Sequence, residues 1–209
     1  MGLAYLPNAD GTDLRLTVRD VPAADADAIL ALGASQLRTV VGDAVYGEDG
    51  ADLAAVVLAL CRAQGVHVGV AESCTGGMLG ARLTAVPGSS DVVRGGVIAY
   101  DDGVKQELLG VPAALIEAHG AVSEPVVRAM AAGVRAAIGV DVALSITGIA
   151  GPGGATEDKP VGTVWIALDF RGEVQSRRYV MVGDRGEIRH RSAQAAMEML
   201  RRRLNTLSS

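Results

Sequence analysis

Lysine is nearly missing from this 209-residue chain: of 19 basic residues only Lys105 and Lys159 are lysines, the rest arginines. Genomic base composition alone exchanges surface lysine for arginine. Arginine, however, cannot give up its proton in a protein, whereas lysine can. A site that needs a proton-accepting amine therefore has two places to find one. Cysteine is almost as scarce. Cys61 and Cys74 do not make a disulfide framework, which suits the reducing cytosol, and Cys61 reads as plain core. Aromatics are 3% of residues, so the core is built from Ala, Val, Leu and Ile. HExxH and CxxC are absent and the three histidines are scattered, so neither a zinc site nor a metal cofactor is expected. GxxxxGK[ST] and GxGxxG are also absent, which disfavours P-loop and Rossmann nucleotide binding. No apolar run is long enough to span a membrane, and Met1–Asp10 lacks the features of a signal peptide. A net charge of −5 and a pI near 5.2 argue against a nucleic-acid partner held by phosphate neutralisation. A cytoplasmic protein without membrane partners is expected.

What is present divides at about residue 50. Leu3–Leu6 and Leu14–Val18 read as short strands around the turn Asn8-Ala9-Asp10-Gly11, and Val21–Val41 as a helix. Residues 1–50 thus form a small β-β-α appendage, and 51–209 the main domain. There Asp52 caps a helix that stops at Gly65, and strand 66–71 leads into a helix after Gly77. Val92–Tyr100 reads as a strand whose Gly95-Gly96 pair marks a bulge or close approach. Helices follow through Leu109, from Pro112 to Gly120, and over Glu124–Ile138 with Ser123 as its cap. Strand Asp141–Thr147 ends in the glycine-rich run 148–154. Val161–Phe170 and Val174–Val182 make an antiparallel hairpin before a last helix, Glu187–Leu204. Arg201–Arg203 at its end read as a solvated, dipole-compensating face. This order predicts an α/β fold, a three-layer α/β/α sandwich with a mixed sheet.

In such sheets ligands sit beyond the carboxyl ends of the strands. Two strands end in Gly/Ser/Thr loops here. The first is Ala-Glu-Ser-Cys-Thr-Gly-Gly at 71–77, a strand end feeding a helix start with free N–H donors. Ser73 and Cys74 are both candidate nucleophiles. Ser73 or Thr75 can equally be the helix cap, and Glu72 can satisfy its dipole. Cys74 gains acidity at a helix start but has no histidine nearby in sequence. Tyr100 and Lys105 supply a phenol and an amine, or else a surface tyrosine and a solvated lysine. If they face the pocket, they can deprotonate a serine without histidine.

The runs AESCTGG at 71–77, PGSSDVVRGGVIAYDDGVKQELLGV at 87–111, HGAVSEPVV at 119–127, SITGIAGPGG at 145–154 and KPVGTVWIAL at 159–168 together resemble the C-terminal domain of the CinA competence/damage-inducible family. That family includes stand-alone nicotinamide mononucleotide (NMN) deamidases. The resemblance covers roughly residues 50–205 and implies hydrolysis of the NMN carboxamide to nicotinate mononucleotide and ammonia. It puts the serine nucleophile on Ser73, the tyrosine and lysine on Tyr100 and Lys105, the Ser/Thr before the GIAGP loop on Thr147, and the arginine of the GDR segment on Arg185. Residues 101–104, Asp-Asp-Gly-Val, depart from the Ser-Asn-type turn of many members. Residues 1–50 resemble the KH-like linker of full-length CinA. The segment's GxxG, Gly47-Glu48-Asp49-Gly50, has an acidic centre unsuited to a phosphate backbone. The family's domain linked to ADP-ribose hydrolysis is not in this sequence, and neither is a carboxylate cluster suited to Mg²⁺.

The expected mechanism has Lys105, with Tyr100 as relay or orienter, take the Ser73 proton. Backbone N–H groups of Thr75, Gly76 and Gly77 hold the oxyanion. Glu72, Thr147, Gly148, Gly151 and Arg185 contact substrate, with Arg185 on the phosphate. The resemblance also fits a homodimer or larger homo-oligomer. The alternative function is a non-catalytic module that binds a recombination or competence protein.

Overall fold

The computed structural model describes residues 1–207, so the expected main domain runs past the described residues at 208–209. They fall into two compact units, Met1–Ala51 and a second from Asp52 onward. The first is a hairpin and a helix. Strands β1 (Gly2–Pro7) and β2 (Thr12–Thr17) pair antiparallel, with Leu3 opposite Leu16 and Tyr5 opposite Leu14. The Asn8 side chain accepts the Asp10 and Gly11 N–H groups and fixes the turn. Helix α1 (Ala23–Val41) follows and buries Gly33. Arg38 ties it to the GxxG segment through an ion pair with Glu48.

The second unit opens with α2 (Leu53–Gln64), capped by the Asp52 carboxylate on the Ala54 N–H at 2.6 Å and ended by left-handed Gly65. Its buried face includes Val57, Leu58 and Cys61. The remaining elements are β3 (Val68–Glu72), α3 (Met78–Thr84), β4 (Val93–Ile98), α4 (Asp102–Leu109), α5 (Ala113–His119), α6 (Glu124–Ile138), β5 (Val142–Gly148), β6 (Thr163–Phe170), β7 (Glu173–Val180) and α7 (Arg185–Asn205). The sheet runs β4-β3-β5-β6-β7, with β4, β3 and β5 parallel and β6 and β7 antiparallel. It is the mixed sheet expected from strand-helix alternation followed by a hairpin.

Alternation along the strands separates the helical layers. Ala71 and Ala143 point to α6 and join Val126, Met130 and Val134 in one cluster. Val70 and Glu72 point the other way, toward α3, and α7 covers the sheet on that side with Ile188, Ala196, Met197 and Leu200. The Gly95-Gly96 pair does both things expected of it. β4 carries one extra residue, since Val68 pairs with Val93 but Gly69 with Gly95. A Cβ on Gly96 would stand 2.7 Å from the Val70 carbonyl oxygen. Gly133 serves a second close approach, because a Cβ there would lie 1.9 Å from the Leu109 carbonyl oxygen. That absence of a side chain lets the end of α4 seat on α6.

Two local expectations are corrected. Arg201 does not lie on a solvated face. It is buried and paired with Glu198 through two hydrogen bonds of 2.6 and 2.8 Å. Ser123 occupies the start of α6 but its hydroxyl donates to the Gly120 carbonyl at 2.8 Å, away from the helix.

Candidate active site

Three parallel strands end side by side. Glu72 pairs with Ile98 on one side and Ile146 on the other. The Ala99 N–H bonds the Glu72 carbonyl at 2.8 Å, and the Ser73 N–H bonds the Ile146 carbonyl at 2.9 Å. Ser73, Tyr100 and Thr147 therefore leave one edge of the sheet within one residue of these ladder bonds. Continued alternation puts positions 73 and 147 on the face of Ala71 and Ala143, the face α6 covers. Helix α4 packs on the same layer and brings Lys105.

The turn after β3 shows which residue caps α3. Neither Ser73 nor Thr75 does; the N-cap is Gly77, with no side-chain cap. Glu72, 1% exposed, takes that task. Its carboxylate accepts the N–H groups of Gly77 at 3.1 Å, Leu79 at 3.0 Å and Gly80 at 2.8 Å. An anion at a helix start satisfies orphan donors and dipole together. The expected substrate role of Glu72 gives way to this structural one. Two of the three expected oxyanion donors are also engaged: the Gly77 N–H on Glu72, and the Gly76 N–H on the Ser73 carbonyl at 3.0 Å. The N–H groups of Cys74 and Thr75 bond no other residue among those described. Of the three expected donors that leaves Thr75, with the Cys74 N–H next to it. The Ser73 hydroxyl, freed from capping, also has no partner among the described residues. The Thr75 hydroxyl is buried and has no hydrogen-bond partner among the described residues.

Burial tells against Cys74 as a nucleophile. It pushes the Cys74 thiol up to about 12, and the cations of Arg185 and Arg189 offset this only in part. A thiol so hard to ionise is a poor nucleophile at neutral pH.

Lys105 is not a solvated lysine. It is 1% exposed, and its Nζ donates to the Tyr100 carbonyl at 3.3 Å and to Asp102 Oδ1 at 2.9 Å. Asp102 lies in the unusual 101–104 stretch. Tyr100 is 61% exposed, and its hydroxyl accepts from Arg185 Nη2 at 3.0 Å, not from Lys105. The expected phenol relay between Lys105 and Ser73 is not made as a hydrogen bond among the described residues; the Tyr100 backbone orients the amine instead. Arg185 Nη1 also donates to the Gly151 carbonyl at 2.7 Å. Arg185 therefore joins Tyr100 to the 148–154 loop. The Thr147 hydroxyl donates to the Ala121 carbonyl at 2.9 Å. Gly148 closes β5 opposite Val164, where a Cβ would meet the Thr163 carbonyl oxygen at 2.8 Å.

Sequence reasoning missed two groups. Asp102 was visible only as a departure from a pattern. Arg189 follows Arg185 by one helical turn on α7, and its Nε and Nη2 both donate to the Thr75 carbonyl, at 3.2 and 2.7 Å. The i, i+4 spacing of the two arginines was the available signal.

Residues 50–204 match the CinA C-terminal domain model. A CinA-like protein of Gemmatimonas aurantiaca is 56% identical over 202 residues, covering 97% of this chain and 47% of the relative. A CinA-like protein of a Synechococcus strain is 50% identical over 193 residues, covering 91% and 46%. The chain thus spans about half the length of the curated relatives it matches. Among solved structures, a CinA superfamily protein from Klebsiella pneumoniae superposes with TM-score 0.72 at 36% identity, covering 74% of this chain and 96% of that one. The competence/damage-inducible protein CihA from Agrobacterium tumefaciens gives 0.71 at 37%, covering 77% and 98%. With its mixed sheet, its 71–77 turn and these likenesses, the chain belongs to the CinA C-terminal domain family.

Proposed function

We propose that the protein is a serine amidohydrolase that converts NMN to nicotinate mononucleotide and ammonia. The observation that carries this reading is the state of the β3 turn. It carries a hydroxyl released from capping beside the N–H groups of Cys74 and Thr75, which bond no other residue among those described, at a sheet edge shared with Tyr100 and Thr147; a buried amine, Lys105, comes from the helical layer on that face.

Lys105, its ammonium proton first given up to solvent, accepts the Ser73 proton as Ser73 Oγ bonds to the carboxamide carbon. The N–H groups of Cys74 and Thr75 hold the oxyanion; each such donor is typically worth about 3–4 kcal/mol. The C–N bond then breaks, Lys105 returns the proton to the leaving nitrogen, and ammonia departs. Water, deprotonated by the same amine, adds to the ester carbonyl and releases the carboxylate and Ser73. Before the first step the Lys105 Nζ must turn from Asp102 toward Ser73; catalytic hydrogen bonds often tighten only on substrate binding. Arg185, with donors left beyond those on Gly151 and Tyr100, is the phosphate partner. No cofactor enters this scheme.

The Lys105–Asp102 ion pair specifically favours a second reading, a non-catalytic module for a competence or recombination protein. Ammonia release from NMN separates the two. The amidase reading expects turnover by the wild-type chain and a loss of at least about a thousand-fold in Ser73→Ala. No turnover by folded wild-type protein, or full rate in Ser73→Ala, favours the module.

A further inference from the structure

The 73–77 turn contains two adjacent glycines with left-handed backbone, Gly76 at φ 58° and Gly77 at φ 95°. Glycine pairs are conformationally loose, yet an oxyanion cradle acts only if its donors are fixed beforehand. The ends of the turn are held by neighbours. The Ser73 N–H is on Ile146, and Glu72 takes the N–H groups at and after Gly77. The peptide between Thr75 and Gly76 lies between these anchors. Its N–H bonds the Ser73 carbonyl, within the turn itself, and the Met78 N–H reaches its oxygen only at 3.3 Å. The group from outside the turn that holds this peptide is Arg189, with two donors on one oxygen. A planar guanidinium can do this from a single rotamer and an ammonium cannot.

We propose that Arg189 is a positioning residue for the reaction. It fixes the Thr75–Gly76 peptide and so keeps the Cys74 and Thr75 N–H groups aimed at the developing oxyanion. The first two turns of α7 thereby hold both halves of the site: Arg185 holds Tyr100 and the 148–154 loop, and Arg189 holds the nucleophile turn. Arg189 contacts no substrate. This inference rests on the amidase reading, but part of its test does not.

The test uses the full chain with Arg189→Ala and Arg189→Lys. Backbone amide exchange, followed by mass spectrometry without substrate, should rise about tenfold or more for peptides covering 74–78 and stay unchanged in β6 and β7. With NMN, kcat should fall about ten- to a hundredfold, the scale of a small misplacement near the reacting centre, while KM stays within about twofold. Added guanidinium ion should restore part of the kcat of Arg189→Ala, and ammonium should not. Arg189→Lys should remain impaired. If Arg189→Ala does not fold, Arg189→Met, which keeps the aliphatic stem but has no N–H donor, is read the same way. Unchanged exchange at 74–78, unchanged kcat, or a raised KM with intact kcat would overturn the proposal. Absence of NMN turnover in the wild-type chain would overturn the amidase reading, while the exchange result still decides whether Arg189 holds the turn.

Discussion

At the scale of single residues, the chemistry turns on which groups are already spent. Glu72 uses its carboxylate on three helix N–H groups, so Ser73 need not cap. Burial pushes the Cys74 thiol up to about 12, which tells against it as a nucleophile. Iodoacetamide at pH 8 should therefore leave Cys74 unmodified and activity intact; rapid alkylation with parallel inactivation would return Cys74 to the candidate list. Lys105 is the buried amine that the scarcity of lysine pointed to. Lys105→Arg keeps a cation at the position but not a group able to give up its proton and act as a base, and should lower NMN turnover about as far as Ser73→Ala. A Lys105→Arg enzyme within tenfold of wild type would mean that the amine is not the base. Residue types offered Ser73 beside Cys74, and Tyr100 with Lys105, and the family resemblance chose among them; capping and burial depend on neighbours far along the chain. Nothing local shows that Arg189 meets Thr75 or that Arg185 meets Tyr100.

At the scale of elements, the fold was more legible than the site. Asp52 and Gly65 bound α2 because their side chain and backbone act locally, and the β6–β7 hairpin followed from alternation about Arg171-Gly172. Buried Arg201 was not legible, since arginines at a helix end usually face water and its pairing with Glu198 needs the packed helix. The seating of α4 on α6 through Gly133 matters for the site, because α4 carries Lys105. Gly133→Ala forces a methyl group into the Leu109 carbonyl and should cost about 1–3 kcal/mol of stability, the usual range for overpacking. It should also lower kcat by displacing the amine. Denaturant titration and steady-state kinetics check both; unchanged stability would mean that the α4 contact yields freely.

At the scale of the whole molecule, the two ends of the sheet have different duties. The carboxyl ends of β3, β4 and β5 carry the candidate site. At the opposite end Asp141 accepts the His67 N–H at 3.0 Å and faces Arg171 at 3.6 Å, joining β3, β5 and the β6–β7 turn. The His67 backbone bond, helped by the His67 side chain and Arg171 and opposed by burial, holds the Asp141 carboxyl below its ordinary value. A depressed carboxylate stabilises fully above its unfolded pKa, about 3.9, and loses that contribution as pH falls through the folded value. Asp141→Asn should therefore lower Tm at pH 7, and the gap from wild type should close as the solution is acidified below about pH 4. KM and kcat for NMN should not change. A Tm gap independent of pH would mean that the carboxylate charge is not what joins these strands.

The central claim, a covalent step on Ser73, is tested most directly by hydroxylamine partitioning. With NMN and hydroxylamine present, the account predicts that the wild-type chain forms the hydroxamate of nicotinate mononucleotide in proportion to hydroxylamine, at the expense of the carboxylate, and that Ser73→Ala forms neither. Carboxylate as the sole product at every hydroxylamine concentration, or hydroxamate formed equally by Ser73→Ala, would contradict it.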